Sequence, residues 1–233
     1  MMGSTASISS NVLSFSQAQR LRAASRRMSA DEVHADILEA IFDQRLIPGQ
    51  VLTAVWIGRA YRVSRGTVAH VMERLSLAGL IEKRSGRVAR LITLDAAALA
   101  QTVQARRHAE RCIAVALAGN LGNAQISALR ALALRERQYA ERQEVAIAIR
   151  LANEFHAKLA ELTGNKPLIR FYTPLVALNS LAMAHQPDST LAMKMWQTRL
   201  ALTEALVQGA AEKAERWVEH LMQQVSTQLS QRN

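Results

Sequence analysis

VSRGTVAHVMERLSLAGLIEKRSGRVARL, residues 63–91, sets how the whole chain is read. Ser64 suits a helix N-cap, because its hydroxyl can accept one of the first free backbone N–H groups. Behind it Val68, Val71, Met72 and Leu75 recur at i, i+3, i+4 and i+7, a single apolar stripe. Arg65, Thr67, His70 and Arg74 lie off that stripe. Gly79 stops the helix, since glycine takes the left-handed conformation of a C-terminal cap without steric cost. Leu80-Ile81 and Val88-Ala89-Arg90-Leu91 predict two short strands around the turn Arg84-Ser85-Gly86-Arg87. A helix followed by a basic hairpin is the order of a winged helix-turn-helix.

Upstream, the spacing fills in the rest of such a domain over residues 29–92. Ser29-Ala30-Asp31-Glu32 is a capping box, in which Ser29 and Glu32 satisfy each other's backbone donors. Val33, Ile37, Leu38 and Ile41 give that first helix its buried face. Leu46-Ile47-Pro48-Gly49 is a turn, Val51-Leu52 a short strand, and Thr53 the cap of a second helix running through Tyr61. Arg62-Val63 is the tight turn before the reading helix. Residues 1–28 are Ser-rich, lack any acidic residue and include Arg20, Arg22, Arg26 and Arg27. They read as a disordered basic tail; an arm along a nucleic-acid backbone ranks second, and an organellar transit peptide third.

Composition bounds the remainder. At 233 residues with 49% hydrophobic content, the chain can fill two cores. Only 10 Gly and 4 Pro favour helix, and 4% aromatics point to aliphatic helix packing. The formal net charge of +10 raises the prior for a polyanionic partner without locating it. Residues 1–92 carry 13 Lys/Arg against 7 Asp/Glu, while 93–233 carry 16 against 12, so the excess is densest in the shorter N-terminal part. The single cysteine, Cys112, rules out an internal disulfide; it reads as a buried small hydrophobe in a reducing compartment. No apolar run reaches membrane-spanning length, so the expectation is a cytoplasmic protein with no membrane partner.

After Asp95 the chain turns almost wholly helical, with helices expected near 94–118, 124–139, 142–162, 166–185, 188–208 and 210–229. Pro167 fits a first helical turn, Asp188 an N-cap and Gly209 a C-terminal stop. The fold class is therefore mainly α: an N-terminal winged helix-turn-helix with a small β hairpin, then an all-α six-helix bundle over 93–233. Such a bundle can enclose a ligand cavity.

Two stretches carry a family resemblance. Arg45-Leu46-Ile47-Pro48-Gly49-Gln50-Val51-Leu52 and Val63-Ser64-Arg65-Gly66-Thr67-Val68, continued by Leu75 and Gly79-Leu80-Ile81, resemble the N-terminal domain of GntR-family transcription regulators. Gly66 stands where that family usually has Thr, Ala69 where it often has a second DNA-contacting Arg, and Val55 where some members have Arg. The resemblance implies that the protein reads double-stranded operator DNA through Ser64, Arg65, Gly66, Thr67, Ala69, His70 and Arg74, with Ser85, Gly86 and Arg87 at the wing tip. From the residues alone, Arg65 can pair with a phosphate or bidentately with guanine, and Gly86 allows a close approach to a groove.

The second half resembles the FCD-type ligand-binding domain of the FadR branch. Phe155-His156-Ala157-Lys158-Leu159 with Thr163-Gly164-Asn165, the pair Arg106 and Glu110, and Leu202, Ala205 and Gly209 carry that resemblance. Many such domains hold a divalent metal on one Asp and three His. Here Ala152 stands at the Asp position, His156 is present, Arg199 replaces the second His, and His220 matches the third only after a one-residue shift. Two nitrogens beside a guanidinium make a poor cation site, so no metal cofactor is expected and His156 and His220 are remnants. The resemblance places an effector among Arg106, His156, Arg199, His220 and Asn165, and Arg199 suits a small carboxylate-type effector. The alternatives for Arg199 are a solvent-facing position or a structural carboxylate such as Glu110.

The expected partners are thus operator DNA, a small-molecule effector and a second copy in a homodimer, since one winged helix reads only a half-site. A regulator without any effector is the competing reading. An enzyme is not expected: His34, His70, His108, His156, His185 and His220 are scattered singly, and no nucleophile–base pair or phosphate loop stands out.

Overall fold

A computed structural model of the chain describes residues 28–84, 88–183 and 189–230. The described residues hold nine helices and one small sheet: α1 (Ala30–Phe42), β1 (Val51–Leu52), α2 (Ala54–Tyr61), α3 (Arg65–Leu77), β2 (Ile81–Arg84), β3 (Val88–Leu91), α4 (Ala96–Leu117), α5 (Asn123–Glu141), α6 (Val145–Leu162), α7 (Lys166–Met183), α8 (Ser189–Val207) and α9 (Ala211–Ser230). By contacts they form two units, one of residues up to 40 with 49–92, the other of 41–48 with 93–233. The basic tail up to residue 27, the wing-tip residues Ser85, Gly86 and Arg87, and the expected cap Asp188 lie outside the described residues.

The first unit is assembled from its caps inward. Ser29 and Glu32 close the capping box of α1, with Ser29 N donating to Glu32 Oε2 at 2.7 Å and Glu32 N to Ser29 Oγ at 3.2 Å. Thr53 and Ser64 cap α2 and α3 by accepting from Trp56 N and Thr67 N. Val33, Ile37, Ile57, Val71 and Leu75 are fully buried, each contributing about 1.5–3 kcal/mol. Two acidic residues of α1 tie the helices together: Tyr61 donates to Asp36 Oδ2 at 2.9 Å, and Arg74 pairs with Asp31. The sheet is antiparallel in the order β1-β3-β2, with Leu52 opposite Ala89 and Ile81 opposite Leu91.

The first hairpin strand departs from the expected span. It runs from Ile81 to Arg84 rather than starting at Leu80. Leu80 instead completes the end of α3: its N–H bonds to Leu75 O at 2.9 Å, while that of Gly79 (φ +68°) bonds to Ser76 O at 3.0 Å. This double closure, with Leu80 buried over Leu75, satisfies carbonyls that the helix would otherwise leave open.

In the second unit the six helices close a ring. α4 packs on α9, α9 on α8, α8 on α5, α5 on α6, α6 on α7, and α7 returns to α4. Leu129, Phe155, Tyr172, Leu206 and Val225 are among the side chains buried inside it. Asp95 caps α4 through Ala98 N at 2.7 Å, and Asn165 caps α7 through Leu168 N at 3.1 Å. Gly119 (φ +74°) and Gly209 (φ +67°) end α4 and α8 side by side, where Gly119 N donates to Leu206 O at 2.8 Å. Asn153 and Ser180 donate to the backbone carbonyls of Phe42 and Ile41. Cys112, expected to be buried, is exposed on α4, off the face that carries Ala109 and Ile113.

Candidate functional site

Two places in the molecule concentrate chemistry, and the first is the outer face of α3. Its cap leaves Ser64, Arg65 and Gly66 exposed at the helix N-terminus, and Ala69 and His70 follow one turn later, also exposed. Ser64 Oγ lies 3.0 Å from Thr67 Oγ1, so Thr67 shares in the cap and is half-buried. Gly66 has open space around it: a Cβ built there would meet nothing nearer than Ser64 Oγ at 3.8 Å. Backbone N–H groups at a helix N-terminus with a free guanidinium beside them can hold a phosphate or face base edges. Arg74 is placed differently. It is half-buried and paired with Asp31, so it braces α3 against α1 instead of standing free.

The second place is a charge cluster inside the helical ring, built by five of its six helices. Arg106 and Glu110, one turn apart on α4, pair with Arg106 Nε donating to Glu110 Oε1 at 2.8 Å. Tyr172 of α7 donates to the same oxygen at 2.6 Å. On the other side Arg199 of α8 donates through Nη1 to Glu136 Oε1 of α5 at 2.6 Å and through Nε to His156 Nε2 of α6 at 3.3 Å. His156 therefore carries its proton on Nδ1. That atom lies 3.2 Å from Glu110 Oε1 without the alignment of a hydrogen bond. None of these six side chains is more than 4% exposed.

Burial sets their protonation. His156 is pushed down to about 4 by burial, against the pull of Glu110, so the imidazole is neutral at pH 7. Burial alone would raise the Glu110 carboxyl; the facing His156 and Arg106 take it well below the usual carboxylate range. With His156 neutral, it is the Arg106 guanidinium that keeps Glu110 ionised. Glu136 goes the other way: burial pushes it up to about 7, and Arg199 offsets only part of that. Burial also lowers Arg199. Beside Glu110, between Leu159, Tyr172 and Leu202, is a cavity of about 10 Å³, room for one water.

Residues 29–90 match the family described as bacterial regulatory proteins, gntR family, and residues 101–224 match the FCD domain. The chain belongs to the gntR family. It is a DNA-binding transcription regulator with a helical FCD domain, and not an enzyme. Among solved structures, McbR/YncC of E. coli is 16% identical with a TM-score of 0.77, covering 87% of this chain and 97% of that one. A GntR protein from Rhodococcus sp. RHA1 is 18% identical with a TM-score of 0.70, covering 88% and 98%. At such identity the likeness is one of fold. A search of curated proteins returned no match.

Within this gntR-family chain, Arg106, His156 and Arg199 do come together, as the FCD resemblance implied. Two other residues do not join them. His220 is exposed on α9, 3.4 Å from Gln224 and edge-on to Trp217, and Asn165 is exposed as the cap of α7. Glu110, named as a possible partner of Arg199, belongs to Arg106; the partner of Arg199 is Glu136. Glu136 and Tyr172 escaped the sequence reading. The sign was there for Glu136: it continues the apolar stripe Leu129, Leu132, Ala133, where a carboxylate must be buried. The donor set suits no divalent metal. Glu110 and His156 each face an arginine, and no cluster of three or more metal-ligating side chains occurs among the described residues. No helix among them is long and apolar enough to cross a membrane.

Proposed function

We propose that the protein is a cytoplasmic homodimeric repressor that binds a palindromic operator and releases it when a small carboxylate-type effector enters the FCD domain. The observation that carries the DNA half is the unobstructed outer face of α3, from Ser64 and Arg65 to Ala69 and His70. One such face covers a half-site, so two copies match a two-fold operator. Arg65 reads or anchors; Gly66 and Ala69 keep the backbone near the groove; His70 extends the face. Arg74 serves through its brace to Asp31.

The effector half draws on the buried cluster. An acid binding at Arg199 replaces Glu136 as the partner of the guanidinium, with Arg106 and His156 as neighbours. Displaced Glu136 is not left as a bare buried charge, because near neutral pH burial already holds it close to its protonated form. No divalent metal takes part, since a cation here would face two guanidiniums. Effector binding changes operator affinity only by differential affinity for the two arrangements of the dimer.

A second reading has a specific observation behind it: Arg199 already has its counter-charge, and the cavity of about 10 Å³ beside Glu110 is too small for an organic acid. The ring then serves dimerisation without an effector. Thermal melting against a panel of organic acids separates the two, because a bound ligand raises the melting temperature by mass action. Footprinting on DNA flanking the protein's own gene tests the operator itself; absence of a protected palindrome defeats the repressor reading.

A further inference from the structure

The arginines of the DNA-binding unit whose side chains are described fall into two classes. Arg74 is tied to Asp31, and Arg90 donates to Gly49 O at 3.1 Å. Arg59, Arg62 and Arg65 are exposed, and none makes a side-chain hydrogen bond or ion pair among the described residues. These three stand in sequence at the junction of α2 and α3: Arg59 in the last turn of α2, Arg62 at its C-cap, Arg65 at the first position of α3. Arg62 follows directly on the last helical turn, which carries Arg59, and two residues separate it from Arg65. Along the rest of the outer face of α3 the exposed side chains bring no positive partner for phosphate: Ala69 and His70 are followed by Glu73.

Arg62 is also held in a conformation that arginine does not favour. Its φ of 52° and ψ of 43° lie in the left-handed region, where a side chain crowds the backbone and glycine is the easy choice. The same unit uses glycine for that task at Gly49 and Gly79. A strained non-glycine residue, exposed and without an internal partner, points to a role outside the fold.

We infer that Arg59 and Arg62 are DNA-backbone contacts, forming with Arg65 an arc of three guanidiniums that grips the phosphates flanking the reading helix. The inference rests on the DNA-binding reading of α3 and adds to it the place where affinity, as distinct from base choice, is generated. Phosphate contacts position the protein and release counterions but carry no sequence information. Arg59 and Arg62 therefore act on every duplex alike, and Gly66, Ala69 and His70 are left to face the bases. The competing explanation is local: cations near the C-terminus of α2 offset its dipole.

The test uses the full chain and a mixed-sequence DNA duplex, with affinity followed as a function of salt. Arg59→Ala and Arg62→Gly should each reduce the slope of log affinity against log salt by about 1, and weaken binding roughly five- to tenfold near 0.1 M salt. Arg62→Lys should keep the slope. The melting temperature of Arg62→Gly should hold or rise, because glycine relieves the backbone, whereas a purely structural Arg62 would lower it. Wild-type slope and affinity in both Arg59→Ala and Arg62→Gly would overturn the inference, as would a loss of binding that merely tracks a lowered melting temperature. If the wild-type protein ignores duplex DNA, the reading of α3 itself falls with it.

Discussion

Arg199 and Glu136 face each other inside the helical ring at 2.6 Å, with side chains 4% and 2% exposed. Arg199 stands where the family resemblance would seat a metal ligand, and the second carboxylate oxygen of its partner, Glu136 Oε2, has no hydrogen-bond partner among the described residues. A buried pair so placed is costly to break and need not be stabilising against an apolar substitute.

Arg199→Met should therefore destabilise the fold by about 3 kcal/mol in chemical denaturation, since it strands Glu136. Adding Glu136→Leu should recover most of that loss. A double variant as unstable as the single one would show that packing, not charge pairing, sets the cost.

The same carboxyl gives a pH signature. Folded Glu136 titrates at about 7 against an ordinary 4.5, so between those values the folded state binds the extra proton and the Glu136 contribution to stability declines as pH rises. Glu136→Gln removes this dependence. Its melting temperature should move in its favour relative to wild type as pH rises from about 4.5 to about 7. A constant difference across that range would contradict the raised value.

Two histidines work in the opposite direction. His34 and His156 are both pushed down to about 4 by burial from an ordinary 6.5, with Arg74 adding to the effect at His34. Between those values the unfolded chain binds more protons, so stability falls as pH drops through the window. Two imidazoles outweigh one Glu136, and the wild-type melting temperature should decrease between about pH 6.5 and about pH 4.5. The decrease should steepen in Glu136→Gln.

At the DNA face, Arg65→Ala should cost on the order of 1–3 kcal/mol of operator affinity if the guanidinium reads a base. Its melting temperature should not change, because Arg65 is exposed and makes no internal contact among the described residues. A gel shift indistinguishable from wild type would remove Arg65 from the interface.

Two glycines a helix apart should respond oppositely. Gly79→Ala forces a Cβ onto φ +68° and should destabilise by about 1 kcal/mol, although nothing lies within 4 Å of that Cβ. Gly66→Ala, in the first turn of α3, should stabilise by up to about 1 kcal/mol while weakening operator binding by crowding the groove. Loss of stability in Gly66→Ala would show that this position is constrained by the fold.

Local chemistry was legible in the linear order of residues. The capping box at Ser29, the caps at Thr53 and Ser64, the stop at Gly79 and the stripe from Val68 to Leu75 all depend on neighbours within one or two turns. So do the six helices after Asp95. Partnerships at a distance were not legible in this way. That Arg74 answers Asp31, that Arg199 takes Glu136, and that Cys112 turns outward depend on how helices rotate and pack. Charge and hydrogen-bonding capacity are printed in each residue, but the partner that satisfies them is chosen by packing between segments far apart in the chain.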